Sequence, residues 1–128
     1  MSILGSTAIE GHLLNEPADI ARRIVDLLAD RQAEDISLLD IRKVAAFADY
    51  FVIATATNRR QMHALIQIVD NELRSEDIKP RHREGTGDSG WVLVDYGSVI
   101  LHIFSPESRA YYALEELWSD ATEVVRIQ

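Results

Sequence analysis

The sequence contains no cysteine among its 128 residues. Disulfide bonds, thiol nucleophiles and cysteine-ligated zinc or iron–sulfur sites are therefore excluded. No apolar run approaches the roughly 20 residues that a membrane-spanning helix needs. The first ten residues also lack the basic side chains that open a secretory signal. These absences predict a cytoplasmic protein that does not bind membranes.

Basic side chains are also scarce. Lysine and arginine number 13 against 21 aspartate and glutamate residues, which gives a formal net charge of −8. A domain that binds nucleic acid through phosphates usually carries a basic face, so we expect little direct nucleic-acid contact. A rival hypothesis stays open, in which a local group of basic residues binds RNA. Its members would be Arg59, Arg60, Lys79, Arg81 and Arg83.

Helix and strand patterns cover most of the chain. Residues 1–15 show no periodicity and predict a flexible N-terminal arm, whereas residues 16–128 predict a single domain. In chain order the patterns predict a helix over 17–32, strands over 36–41 and 50–55, a helix over 58–74, strands over 91–95 and 99–104, and a helix from 105 to 118. The order predicts a mixed α/β fold with a four-stranded sheet packed with helices.

The predicted pairing of the strands follows from their connections. The strand over 50–55 is apolar on both faces, which is typical of a central strand. Its connection through a long helix to the strand over 91–95 favours parallel pairing. Residues 95–98 form a tight turn in which Gly97 can take a positive φ, so the last two strands are expected to be antiparallel.

Polar residues at the helix starts predict caps. Asn58 followed by Gln61 has the spacing of a capping box, and this role accounts for the polar turn without a bound phosphate. The apolar face of the last helix is expected to turn toward the core. That face consists of Tyr111, Leu114, Leu117 and Trp118.

No arrangement of catalytic or metal-binding residues is visible. Metal-dependent phosphoryl transfer needs clustered carboxylates, but Asp40, Asp49 and Asp95 are isolated. The four histidines share no metal-ligand spacing, and His102 lies in an apolar strand as a core or face histidine. We therefore expect no cofactor and no enzymatic activity. An enzymatic rival stays open, a nucleotidyltransferase in which Asp40 and Asp95 come together.

Two aromatic residues near the hairpin are candidates for contact with a partner. Trp91 opens a strand beside a glycine-rich loop, and Tyr96 lies in the hairpin turn. Tryptophan and tyrosine are enriched at interface hot spots. The turn position predicts that Tyr96 is exposed. Trp91 is either a contact anchor or a cover for the core edge.

Four segments share their order and spacing with one known family. They are DYFVI at 49–53, RQ at 60–61, GWVLVDYG at 90–97 and SRAYYALEELW at 108–118. Together they resemble the ribosomal silencing factor family, also known as Iojap-like, over about residues 18–121. The family often has glycine and serine where this chain has Ala56 and Asn58, so we assign no ligand to that turn.

The resemblance implies a cytoplasmic factor that binds the large ribosomal subunit through ribosomal protein fourteen of that subunit. Such a factor prevents association with the small subunit and represses translation when nutrients are short. The resemblance also implies a nucleotidyltransferase-like sheet without catalytic carboxylates, and a possible homodimer. The partner-binding residues that it transfers are Trp91, Asp95, Tyr96, Gly97, Arg109 and Tyr112.

Overall fold

A computed structural model of the chain describes residues 16–128, so the arm predicted over 1–15 lies outside the described residues. Six strands form one sheet in the spatial order β3-β4-β5-β2-β1-β6. In chain order the elements are α1 (Pro17–Asp30), β1 (Glu34–Asp40), β2 (Tyr50–Thr55), α2 (Arg59–Ser75), β3 (His82–Glu84), a 3₁₀ turn (Gly87–Ser89), β4 (Trp91–Asp95), β5 (Val99–Phe104), α3 (Pro106–Tyr112), α4 (Leu114–Leu117) and β6 (Thr122–Ile127).

The mixed α/β fold is confirmed, but the prediction of a four-stranded sheet is wrong because the sheet has six strands. The two missed strands, β3 and β6, form its edges. All three residues of β3 are exposed, and so are all but one residue of β6. An edge strand without a buried face carries no alternation of apolar and polar residues, so periodicity did not reveal either one.

The parallel pair at the centre of the sheet is β2 with β5, in register from Tyr50–Val99 to Thr55–Phe104. The prediction that β2 pairs in parallel with β4 is wrong. The strand that follows α2 is β3, and β4 and β5 then return as successive antiparallel neighbours. The tight turn between β4 and β5 is confirmed, and Gly97 adopts a φ of 94° there.

The two faces of the sheet are covered unequally. On one face, α1 and α2 bury the larger apolar cluster, which includes Ile24, Leu28 and Leu65. On the other face, α3, α4 and residues 41–49 bury a smaller cluster around Phe51 and Phe104. Because α3 and α4 have only seven and four residues, they cover part of the second face and leave the rest accessible.

The start of α2 follows the predicted capping role of Asn58. The Gln61 N–H donates a hydrogen bond to Asn58 Oδ1 at 2.8 Å. The Gln61 side chain accepts from the Thr57 N–H at 2.7 Å. In a capping box the Gln61 side chain would accept from the N–H of Asn58 itself. Here the donor is the N–H of Thr57, one residue earlier in the chain.

The prediction of one continuous last helix is wrong, because Ala113 adopts a left-handed φ of 46° and separates α3 from α4. The break rotates the two parts relative to each other. Leu114 is buried and Trp118 is half-buried, as expected. Tyr111 and Leu117, which were expected to face the core, are 81% and 76% exposed.

Gly85, which connects β3 to the 3₁₀ turn, provides a test of this architecture. Its φ is 89°, and a Cβ there would collide with the carbonyl oxygen of Trp91. We expect Gly85→Ala to lower the free energy of unfolding by about 1–3 kcal/mol, the cost of a strained backbone. Gly87 is a matched control, since a Cβ there would meet Arg59 at an ordinary 3.5 Å.

The free energy of unfolding of both variants can be measured by urea denaturation. Gly87→Ala should differ from the wild-type chain by less than about 0.5 kcal/mol. Equal stability of the two variants would contradict the close approach of Gly85 to Trp91.

Candidate functional site

On the second sheet face, half-buried side chains of β4 lie beside buried side chains of β5. Their antiparallel register places Trp91 opposite Phe104, Leu93 opposite His102, and Asp95 beside Ile100. Residues directly opposite each other in antiparallel strands point to the same face. The register between β4 and β5 therefore decides which side chains lie next to each other on this face. We refer to it as the aromatic face, which consists of Phe47, Phe51, Trp91, His102, Phe104, Tyr112 and Trp118.

Trp91 lies in the middle of three aromatic contacts and is half-buried. Its ring stacks on Phe104 with centroids 4.9 Å apart and contacts Tyr112 at 4.6 Å. The indole Nε1–H donates a hydrogen bond to Nδ1 of His102 at 3.2 Å. Trp91 thus covers the core edge, as one of the two alternatives predicts, while its role as a contact anchor stays a prediction.

His102 is buried beneath this surface, with 3% of its side chain exposed. Burial lowers the pKa of the imidazole to about 3, so the ring is neutral at physiological pH. Since Nδ1 accepts from Trp91, the ring proton is on Nε2. Within residues 16–128, Nε2 has no hydrogen-bond partner.

Large apolar side chains remain exposed around the aromatic face. Phe47 packs against Phe51 and Trp118, with centroids 6.1 and 5.8 Å apart, yet more than half of its side chain is exposed. Tyr112 is 42% exposed beside Trp91. A contiguous group of exposed large apolar residues is typical of a protein–protein interaction site.

Acidic groups border the same face on the β3 side. The register places Glu84 opposite Leu93, and His82 opposite Asp95. His82 Nε2 lies 2.7 Å from Glu84 Oε2. A cavity of about 150 Å³ lies between Glu84, Gly85, Trp91 and Leu93, and could receive one side chain of a partner.

The hairpin residues transferred from the family resemblance point in different directions. Asp95 Oδ1 accepts the Gly97 N–H at 2.7 Å and so holds the turn together. The prediction that Tyr96 is exposed is wrong. Tyr96 is 7% exposed and packs in the apolar cluster on the face of the sheet that α1 and α2 cover. Its hydroxyl lies 3.5 Å from Asp70 Oδ1, and burial together with this carboxylate raises the pKa of Tyr96.

Arg109 is buried and bonded within the chain. Its Nη1 donates to the Asp35 carbonyl oxygen at 2.6 Å and to Thr55 Oγ1 at 2.9 Å. Its Nη2 donates to Glu115 Oε2 at 2.6 Å. Arg126 of β6 also pairs with Asp35, at 2.7 Å. Arg109 therefore ties α3 to β1, β2 and α4, and positions Tyr112 at the end of α3 and Trp118 just after α4.

Asp40 and Asp95, the two carboxylates that the nucleotidyltransferase hypothesis brings together, lie far apart in the structure. Asp40 ends β1 and Asp95 ends β4, and β2 and β5 lie between those strands. Three strand spacings amount to about 14 Å, too far for one metal ion to bind both groups. Asp40 instead pairs with Arg42, whose guanidinium lowers the pKa of this carboxyl. In the described part of the chain, no three His, Asp or Glu side chains could hold a metal ion.

The five basic residues of the RNA-binding rival form two groups. Arg59 and Arg60 begin α2, whereas Lys79, Arg81 and Arg83 follow its end. The 17 residues of α2 span about 25 Å, so Arg59 and Arg60 lie at the opposite end of this helix from Lys79. Arg59 is moreover paired with Asp88. In residues 16–128, no helix is long and apolar enough to cross a membrane.

A polar cavity of about 350 Å³ lies at the carboxyl ends of β2 and β5, between the starts of α2 and α3. Asn58 and Ser105 face it, but their side chains already cap the two helices. Ser105 Oγ accepts from the Ser108 N–H at 3.1 Å. Helix capping therefore accounts for the polar side chains of Asn58 and Ser105, and we assign no ligand to this cavity.

Sequence reasoning missed His102 and Phe47 as parts of the site. The alternation in Val99–Phe104 places His102 on the same side as Phe104, and this signal could have placed the histidine on the aromatic face. Its bond with Trp91 depends on the β4–β5 register, which single-strand patterns do not contain. Phe47 follows β1 in a segment without periodicity, and no sequence signal places it there.

The fold and this site define a mixed α/β domain with a partly exposed cluster of aromatic side chains on one face of its sheet. The chain belongs to the family described as ribosomal silencing factor during starvation, whose model matches residues 14–128. The family resemblance drawn from the four sequence segments is thereby confirmed. The names in this family point to a ribosome-associated regulatory factor.

Individual relatives agree with this membership. The chain is 38% identical over 92 residues to ribosomal silencing factor RsfS of Bacillus subtilis, covering 72% of this chain and 78% of the relative. It is 32% identical to mitochondrial assembly of ribosomal large subunit protein 1 of Mus musculus, covering 75% of this chain and 43% of that protein. A crystal structure from Chromobacterium violaceum is 33% identical, with a TM-score of 0.77 over 81% of this chain and 87% of that one.

The burial of His102 predicts a pH dependence of stability. The unfolded chain takes up a proton at this histidine near pH 6.5, but the folded chain does so only near pH 3. Between those values the unfolded state binds more protons, so stability falls as the pH falls. From pH 7 to pH 5 the contribution of His102 is a loss of about 2 kcal/mol.

Urea denaturation at pH 7 and pH 5 measures this loss. His102→Leu removes the titrating group, so its stability should decrease by about 2 kcal/mol less than that of the wild-type chain over the same interval. The other histidines are common to both proteins and cancel. Identical pH dependence in the two proteins would show that the imidazole is not held neutral by burial.

Proposed function

We propose that this chain binds the large ribosomal subunit through ribosomal protein fourteen and thereby prevents association with the small subunit. Membership of the ribosomal silencing factor family supports the ribosome as the target. The observation that carries the proposal is the aromatic face, a partly exposed apolar cluster with an acidic border, which suits a protein partner. Translation in the cytoplasm is repressed as the consequence.

Trp91 and Tyr112 are the contact residues of this proposal. Both rings lie on the aromatic face, and each retains exposed surface next to the other. Tryptophan and tyrosine in well-packed positions near the centre of an interface usually contribute most of the binding energy. Leu93 and the exposed Phe47 extend the apolar area around them.

The other transferred residues act in different ways. Asp95 shares the face of Trp91 and contributes a carboxylate at its border. Gly97, Tyr96 and Arg109 act as positioning residues: the first two hold the hairpin, and Arg109 holds α3. Their substitution is expected to disturb the surface indirectly.

The charge of the chain suits a basic protein partner. A net charge of −8, with Glu84 and Asp95 beside the aromatic face, attracts basic protein surfaces and repels the phosphates of neighbouring RNA. Repression then follows from steric exclusion, since a factor bound where the subunits meet blocks their contact. No covalent bond is made or broken. A nucleotidyltransferase-like sheet and a homodimer stay predictions of the family resemblance.

Co-sedimentation with separated ribosomal subunits tests the proposal. The wild-type chain should pellet with large subunits and not with small subunits. Trp91→Ala should weaken this binding by about 1–3 kcal/mol, or roughly 5- to 150-fold, because an interface anchor is removed. Gln67→Ala is the control, since Gln67 is an exposed residue of α2 on the other side of the sheet.

Both variants should first be shown to be folded by circular dichroism. Gln67→Ala should bind large subunits like the wild-type chain. The proposal is wrong if the folded Trp91→Ala variant binds as tightly as the control, or if the wild-type chain pellets equally with both subunits.

A further inference from the structure

We propose that His102 is a positioning residue, which holds the indole of Trp91 in the one orientation that docks on the partner. The proposal rests on the proposed function, because it assigns a role within the same surface. It is carried by the 3.2 Å hydrogen bond from Trp91 Nε1 to His102 Nδ1, and by the burial of that imidazole beside a half-buried indole ring.

The aromatic contacts of Trp91 do not fix its orientation alone. Phe104 stacks on the indole with an interplanar angle of 28°, and Tyr112 approaches it at 50°. Burial of apolar area is non-directional, and aromatic pairs prefer certain angles between ring planes, so these contacts set the plane of the indole more than the edge that faces outward. The indole N–H is the single polar group of the ring, and its bond to His102 selects one edge.

Only a neutral acceptor can perform this role. A protonated imidazole donates from both nitrogens, so Nδ1 would then face the indole N–H with a second donor. His102 is enclosed by Phe51 at 4.7 Å and by Phe104 at 6.3 Å between ring centroids. This apolar enclosure disfavours the charged form, as the lowered pKa of His102 also indicates.

The imidazole is a poor choice for stability alone. Its Nε2 is buried without a partner in the described chain, and an unsatisfied buried polar atom is destabilising. An apolar side chain would fill the position without that penalty. Among residues 16–128, the one polar interaction of the ring is the bond to Trp91. Residues that lower the stability of the folded state are often found at functional positions.

Two substitutions of equal shape separate the hydrogen bond from packing. Asparagine and leucine have the same number of side-chain heavy atoms and the same branching at Cγ. The Oδ1 of asparagine lies close to the place of histidine Nδ1 and can accept from the indole, whereas leucine cannot. His102→Leu should therefore weaken binding to large subunits about 3- to 10-fold, the range of one hydrogen bond. His102→Asn should stay within about 2-fold of the wild-type chain.

The indole N–H resonance of Trp91 in the free protein gives a readout that packing does not supply. In a ¹H–¹⁵N spectrum, His102→Leu should move this resonance upfield and broaden it, because the donor loses its acceptor and the ring samples more than one orientation. His102→Asn should restore the shift and the linewidth. A Trp118→Phe variant assigns the resonance, since these are the two tryptophans of the chain.

The results decide between the two proposals separately. An indole resonance that is unchanged in His102→Leu, or wild-type binding by that variant, would overturn the role of His102. Weakening in His102→Asn equal to that in His102→Leu would overturn it too. If the wild-type chain fails to bind large subunits, the proposed function is wrong, and the indole resonance still decides whether His102 orients Trp91.

Discussion

The architecture depends on one constraint, the burial of the central parallel strands β2 and β5 on both faces. Every residue of Tyr50–Thr55 and Val99–Phe104 is buried, so each side of the sheet needs a covering layer. α1 and α2 supply a full layer on one side. Within residues 16–128, the other side is covered by the short helices α3 and α4 and by residues 41–49. The β4 side chains Trp91 and Leu93 consequently lie half-buried at the margin of this cover.

The partial cover is held in place by buried polar contacts. Arg109 joins α3 to Asp35, Thr55 and Glu115, and a left-handed residue at Ala113 then turns the chain into α4. These features fix where the second layer stops. The exposed aromatic residues beyond it are therefore attached to a segment that these hydrogen bonds tie to the sheet. The partial cover of the second sheet face thus explains both the arrangement of α3 and α4 and the apolar surface that we propose for binding.

Sequence patterns predicted those parts of the fold that are buried. The strands over 50–55, 91–95 and 99–104 and the cap at Asn58 emerged because apolar runs end at turn residues. The exposed edges β3 and β6 lacked that signal. Of the candidate site, Trp91 was predicted from its position and from the family resemblance and Tyr112 from the resemblance alone, and the two rings are in contact, while Tyr96 faces the opposite side of the sheet. Arg109 and His102 acquire their partners through long-range packing, which no local pattern contains.

The account is tested most directly by a subunit-joining assay. Large subunits are first incubated with the wild-type chain, small subunits are then added, and the joined fraction is followed by light scattering. The account predicts a dose-dependent loss of joined ribosomes near equimolar chain, and recovery of joining when Trp91→Ala replaces the wild-type chain. Unchanged joining with the wild-type chain, or equal inhibition by the folded Trp91→Ala variant, would contradict it.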